Sequence, residues 1–276
     1  MLYAGEKMKI VAGAAVLYGL ALIWVAVNQR KLMYHPETRL YTPHQNEVFA
    51  HESVVLHTAD GLTLKAAYKA PENGKPVVIY FHGNTGIVAD AMHKLVPLVN
   101  AGYGVLMPEY RGFDGNAGAP SEQGLIQDAE AALRFVQTTA PDSPVVYYGM
   151  SMGTGVANAL AAKFPPAALV QECGFTSMTA AAQNRYWFLP VKLLIKDTYD
   201  SEKRIASLTA PLLILHGEKD KTVPVSHASE MLQAAKSENK TIKIYPDGHH
   251  IDLYDFGASE DVLNWLNGLF LKNNKI

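Results

Sequence analysis

Val145-Val146-Tyr147-Tyr148-Gly149-Met150-Ser151-Met152-Gly153-Thr154 is the stretch from which the rest of the chain is read. Four apolar or aromatic residues in a row suit a strand covered on both faces, as in parallel sheets. From Thr154 to Lys163 the sequence is alanine-rich and reads as a helix. Between them stands Gly-x-Ser-x-Gly. A sharp strand-to-helix turn raises the serine above the sheet edge, and the glycines let neighbouring backbone come close. The helix that follows aims its unpaired N–H groups at any negative charge developing there. In that setting Ser151 is a candidate nucleophile.

Similar strands lie on either side. Val77–Phe81, Gly104–Met107, Ala168–Val170 and Leu212–Leu215 are continuous apolar runs, and Ile242–Tyr245 is an edge-like version. Val54–Leu56 and Leu62–Leu64, joined through Asp60-Gly61, predict a hairpin. Over Glu122–Gln137 the residues Leu125, Ile126, Ala129, Ala132, Leu133 and Val136 recur at helical spacing, with Ser121 as N-cap. Alternating buried strands and helices predict a mostly parallel central sheet with helices on both faces. Gly174–Leu208 interrupts the alternation and reads as a small cap. Its Tyr186, Trp187 and Phe188 are candidate substrate-binding residues forming an apolar slot, ordinary cap packing being the alternative.

A serine hydroxyl needs a general base, and the base an orienting acid. The apolar run ending at Leu215 is followed by His216-Gly217-Glu218-Lys219-Asp220, and the run ending at Tyr245 by Pro246-Asp247-Gly248-His249-His250. Serine, carboxylate, then histidine is the chain order of the α/β-hydrolase fold. Asp220 is chosen as acid, with Glu218 and Glu172 as rivals. His249 is chosen as base, with His250 separated from it only by its relation to Gly248. Oxyanion donors are expected from the backbone of Met152, next to the nucleophile, and of Asn84 in Phe81-His82-Gly83-Asn84. His82 itself is read as holding that loop.

The residues resemble the α/β-hydrolase proteins with a single N-terminal membrane anchor, a group with bacterial members and ABHD-type eukaryotic ones that include protein depalmitoylases. The resemblance runs over nearly the whole chain. It is carried by Gln29-Arg30-Lys31-Leu32-Met33-Tyr34, Glu109-Tyr110-Arg111-Gly112-Phe113, Pro120-Ser121-Glu122, Phe175-Thr176-Ser177-Met178 and the stretch Pro211–Pro224. It implies Ser151, Asp220 and His249 as the catalytic triad and makes Arg111 a stabilising hydrogen-bond donor. The family commonly has Ser-Pro where this chain has Cys173-Gly174, and Asn at the position of His250.

Ile10–Val27 carries no charge and is flanked by Lys7, Lys9, Arg30 and Lys31. As a helix it is roughly 27 Å long, close to the hydrocarbon thickness of a bilayer. We expect an uncleaved transmembrane anchor over 8–28, a juxtamembrane linker over 29–52 and an α/β-hydrolase domain over 53–276. Trp24 to Val27 fit a signal cleavage site poorly, and a buried soluble helix would need covering all round. The flanking charges balance, so they do not set the side on which the domain lies.

Among 276 residues, 49% are hydrophobic and 18% charged, and the net charge of −2 gives no footprint for nucleic acid. The single cysteine permits no intramolecular disulfide, and the ten histidines show no metal-ligand spacing. No metal or cofactor is expected, and the oligomeric state is not encoded. The expected activity is a serine hydrolase acting on carboxylic esters or thioesters, with acyl-lipid or acyl-protein substrates presented at the membrane. A membrane-tethered serine peptidase and a non-catalytic binding module are the alternatives.

Overall fold

The computed structural model describes residues 4–36, 48–72 and 74–271. In chain order the elements are α1 (Ala4–Met33), β1 (His35–Pro36), β2 (Glu52–His57), β3 (Thr63–Lys69), β4 (Val77–Phe81), β5 (Thr85–Gly86), α2 (Val88–Asn100), β6 (Gly104–Pro108), α3 (Glu122–Thr139) and β7 (Val145–Met150). They continue with α4 (Met152–Lys163), β8 (Ala168–Glu172), α5 (Met178–Arg185), α6 (Val191–Leu194), α7 (Ser201–Ile205), β9 (Leu212–Gly217), α8 (Ser226–Ala234), β10 (Lys240–Tyr245) and α9 (Ala258–Phe270).

The apolar runs assemble into an eight-stranded sheet of order β10-β9-β8-β7-β4-β6-β3-β2. β2 and β3 form the antiparallel hairpin, with Leu56 opposite Leu64, and β3 is also antiparallel to β6. The other pairs are parallel. The core strands need residues apolar on both sides because both faces are covered. Phe81 and Tyr147 pack with α3 and α4 on one face, while Tyr80, Val146 and Tyr148 pack with α2 and α9 on the other. From β4 the chain goes first to β6 on one side, then crosses to β7 on the other. The carboxyl ends of β4 and β7 therefore flank a topological switch point, where α/β sheets open a crevice.

Local chemistry fixes the ends of the elements. Ser121 Oγ accepts from the N–H of Gly124 at 3.1 Å and caps α3. Arg111 donates from its backbone and from Nε to Asp128 at 3.0 and 2.9 Å, and from Nη1 to Asp60 at 2.7 Å. It ties the loop after β6 to α3 and to the β2–β3 turn, the stabilising role expected of it.

α1 is a candidate membrane span, with Ile10, Val11, Leu17, Ile23 and Val27 all more than half exposed. The helix runs on to Met33, into the segment expected to be linker, and its end is docked on the domain. Arg30 forms a two-pronged pair with Asp197, at 2.8 and 3.0 Å. The Tyr34 hydroxyl is buried 2.9 Å from that of Tyr199. His35 and Pro36 pair in parallel with Thr85 and Gly86. Residues 37–47 of the expected linker lie outside the described residues.

Candidate active site

Ser151 stands between β7 and α4 at φ 52°, ψ −118°. Such a conformation costs a non-glycine residue about 1–3 kcal/mol and persists only where the surroundings impose it. Here packing does so. A Cβ on Gly149 would lie 2.5 Å from Gly153 O, and one on Gly153 would lie 2.0 Å from Phe81 O. Only glycine at both positions lets β4, β7 and α4 close on each other, leaving the serine at the tip.

Ser151 Oγ lies 2.8 Å from Nε2 of His250, and Nδ1 of His250 lies 2.7 Å from Oδ2 of Asp220. The other carboxylate oxygen of Asp220 accepts from the N–H groups of Thr222 and Val223 at 2.7 and 2.9 Å. Burial works against charge on Asp220. Hydrogen bonds from His216, His250 and Val223 and the charge of His250 outweigh it, holding this carboxyl well below the usual range.

The histidine against Ser151 is thus His250, which corrects the choice of His249. The two neighbouring rings take different partners, so one imidazole faces the serine and the other does not. Close backbone packing sets which one. Lys219 N–H donates to Gly248 O at 3.0 Å, and a Cβ on Gly217 would lie 2.4 Å from that oxygen. His249 is turned out to solvent, its N–H and Nδ1 held 2.6 and 2.9 Å from the carboxylate of Asp252. The available sequence signal was Asp252 itself, an acceptor three residues on that captures the preceding backbone and ring. Ser151 and Asp220 both meet the ring of His250, one at each nitrogen.

Glu172, weighed as the alternative acid, is buried on the other side of β8. Its oxygens take Lys94 Nζ at 3.2 Å and the hydroxyls of Tyr148 and Tyr254 at 3.0 and 2.5 Å, while its backbone oxygen accepts from Ser151 N–H. His82 is buried beneath the loop after β4. Its ring stacks on Tyr110 at 4.1 Å, and burial lowers its pKa to about 4. Glu109, 3.6 Å from His82 Nε2, is pushed by burial to about 8 and accepts the first N–H of α2. Neutral His82 braces the loop, in keeping with its sequence reading.

A cavity of ≈ 400 Å³ opens beside Ser151 and His250. Gly83, Asn84 and Met150 line it near the nucleophile, Ile87 and Ala91 form an apolar wall, and Ile251 stands at the rim. A Cβ on Gly83 would sit 3.8 Å from Ser151 Cβ, so the backbone of the loop after β4 runs alongside the serine. The side chain of Asn84 donates to Met33 O at 2.9 Å, and its backbone oxygen accepts from His35 N–H at 2.9 Å. The end of α1 is therefore fastened to the loop that lines the cleft. Met152, the first residue of α4, carries one of the helix N–H groups with no acceptor within the helix.

The aromatic residues of the cap do not line this cavity. Tyr186, Trp187 and Phe188 are exposed on the outside of the cap beside α1, which overturns their reading as a substrate slot. The short helices α5 and α6 turn the segment toward α1 and away from the cleft. Among the described residues, Cys173, Asp220 and His250 have metal-ligand atoms within 4.8 Å of one another. Two of them belong to the Ser151 relay, and burial keeps the thiol of Cys173 protonated by raising its pKa.

Residues 76–188 match a family model described as alpha/beta hydrolase fold, and residues 190–255 one described as serine aminopeptidase, S33. An uncharacterized protein of Mycobacterium tuberculosis is 36% identical over 251 residues, 90% of this chain and 89% of that one. Protein ABHD12B of Homo sapiens is 32% identical over 210 residues, 67% of this chain and 58% of its own length. Among solved structures, the esterase Pf2001 of Pyrococcus furiosus aligns with a TM-score of 0.69 at 20% identity, over 85% of this chain and 97% of that one. At that identity the likeness is one of fold.

Proposed function

Because the chain belongs to the α/β-hydrolase family, we propose that it is a serine hydrolase held at a membrane by α1, cleaving carboxylic esters or thioesters of acyl lipids or acyl proteins. The observation that carries the reading is the continuous relay Ser151–His250–Asp220, at 2.8 and 2.7 Å. Ser151 Oγ attacks the acyl carbonyl as its proton passes to His250 Nε2. Asp220 holds the ring through Nδ1 and stabilises the imidazolium. The carbonyl oxygen, now negative, takes the N–H groups of Asn84 and Met152. Collapse breaks the bond to the leaving group, which receives the proton from His250, and leaves an acyl-Ser151 ester. Water, deprotonated by the same histidine, attacks that ester and releases the acid.

Support for an acyl substrate comes from the apolar wall of Ile87, Ala91 and Met150, and from the contact between the cleft loop and Met33. Docking of Gln29, Arg30 and Tyr34 on the domain supports an uncleaved anchor over a removed signal. The description serine aminopeptidase attached to residues 190–255 favours a peptidase as second reading.

A fluorophosphonate probe tests the mechanism: wild type is labelled and Ser151→Ala is not. Absence of label on both would leave a non-catalytic binding module. Turnover of esters and thioesters against aminoacyl amides then divides hydrolase from peptidase.

A further inference from the structure

We propose that the cap hairpin from Arg185 to Lys196 seats in a bilayer with anionic headgroups, beside α1, so that the chain meets the membrane through two elements. The inference deepens the reading of α1 as an anchor. Four observations converge on it.

The first is exposure. Trp187 is 80% and Leu193 86% exposed, with Phe188 and Tyr186 exposed beside them, and the Phe188 ring meets those of Tyr186 and Trp187 edge to face. The second is register. Tyr18 OH, in the middle of the charge-free run, donates to Phe188 O at 2.8 Å. Gln29, past the end of that run, donates to Leu194 O at 2.9 Å and accepts from Lys196 N–H at 2.7 Å. The cap segment lies along α1 from Tyr18 to Gln29, a rise of roughly 16 Å. Whatever medium surrounds that half of α1 surrounds the hairpin as well.

The third is backbone satisfaction. Irregular backbone survives at membrane depth only where the protein supplies its hydrogen bonds. Gln183 Nε2 points at the carbonyls of Leu189, Trp187 and Tyr186, at 3.1, 3.4 and 3.5 Å, and Tyr18 serves that of Phe188. The turn's carbonyls are met from within while its side chains point outward. The fourth is charge. From Met178 to Lys196 there is no acidic residue, but Arg185, Lys192 and Lys196 are present. Lys196, level with Gln29 past the end of the run, suits anionic headgroups, and the rings level with Tyr18 lie deeper, among acyl chains.

The test uses the full chain in vesicles of phosphatidylcholine and phosphatidylglycerol with brominated acyl chains. One variant, Trp24→Phe with Trp265→Phe, keeps Trp187. A second, Trp187→Phe with Trp265→Phe, keeps Trp24. Labelling by fluorophosphonate checks that both fold. Trp187 is expected to lose about half of its emission to bromines on the acyl chains, relative to unbrominated vesicles. Unchanged Trp187 emission overturns the proposal, including the case in which a second copy of the chain covers the hairpin. Quenching of Trp24 alone leaves the anchor standing and removes the hairpin contact. Quenching of Trp187 alone does the reverse, and quenching of neither removes both.

Discussion

On the nucleophile side of the cleft, position follows from contact: a side chain on Gly149 or Gly153 would collide with backbone at 2.5 or 2.0 Å, and β4, β7 and α4 interlock around Ser151. On the cap side, Trp187 and Leu193 are largely uncovered by the described residues, and the segment is tied to α1 by Tyr18, Gln29 and Arg30. Close packing resists displacement in every direction. A few polar contacts, each worth about 1 kcal/mol net, leave a segment able to follow its surroundings. The comparison teaches that the Ser151 relay is held from the sheet edge by close packing, while the cap is held to α1 by a few polar contacts.

The largest expected effect concerns the two histidines. His250→Ala lowers kcat on a soluble ester by about a thousandfold or more, whereas His249→Ala stays within about threefold. Equal losses in steady-state kinetics would show that the last loop is not fixed as the sheet edge is. Next comes Asn84→Ala, which keeps the backbone donor but loses the bond from its side chain to Met33 O. We expect kcat to fall about tenfold with KM within about twofold, part of the roughly hundredfold or greater loss seen when a whole oxyanion donor goes. A matched rise in KM would place the residue in substrate binding instead.

Glu109 gives a pH-dependent effect. Burial raises its folded pKa from 4.5 to about 8, so the carboxyl takes up a proton on folding between those values. The contribution is fully present below the unfolded pKa and is lost as pH rises through the folded one. Glu109→Gln lacks this slope. Its Tm relative to wild type should climb from pH 5 to pH 8 by on the order of 5 °C. A difference that stays constant with pH would mean the carboxyl is charged throughout. The smallest expected effect is that of Trp187→Ala on a short soluble ester, with kcat/KM within about twofold. A tenfold loss there would return the cap to the cleft.

Much of this is legible in the sequence. The apolar runs from Val77 to Leu215 are core strands because residues apolar on both sides belong in a sheet covered on both faces. The Asp60-Gly61 turn and the Ser121 cap were readable because their hydrogen bonds are local. The cap aromatics are not placed by the sequence, for the opposite reason. Tyr186 to Phe188 are equally suited to a pocket and to an interface, and the direction they face depends on α5, α6 and α1 together. The extent of α1 was likewise underestimated, since Gln29 and Arg30 look like the start of a polar linker until Leu194 and Asp197 are seen opposite them.

Residue order alone determined that a serine would top a strand-to-helix bend, because glycine on either side is a local steric condition. It also set a carboxylate after the strand ending at Gly217 and a pair of histidines after the one ending at Tyr245, because chain order is covalent. Which of two neighbouring imidazoles turned inward was decided only by the assembled molecule. His249 and His250 share one composition and one loop, and their opposite outcomes follow from where Gly248 lodges against Gly217 and from the grip of Asp252.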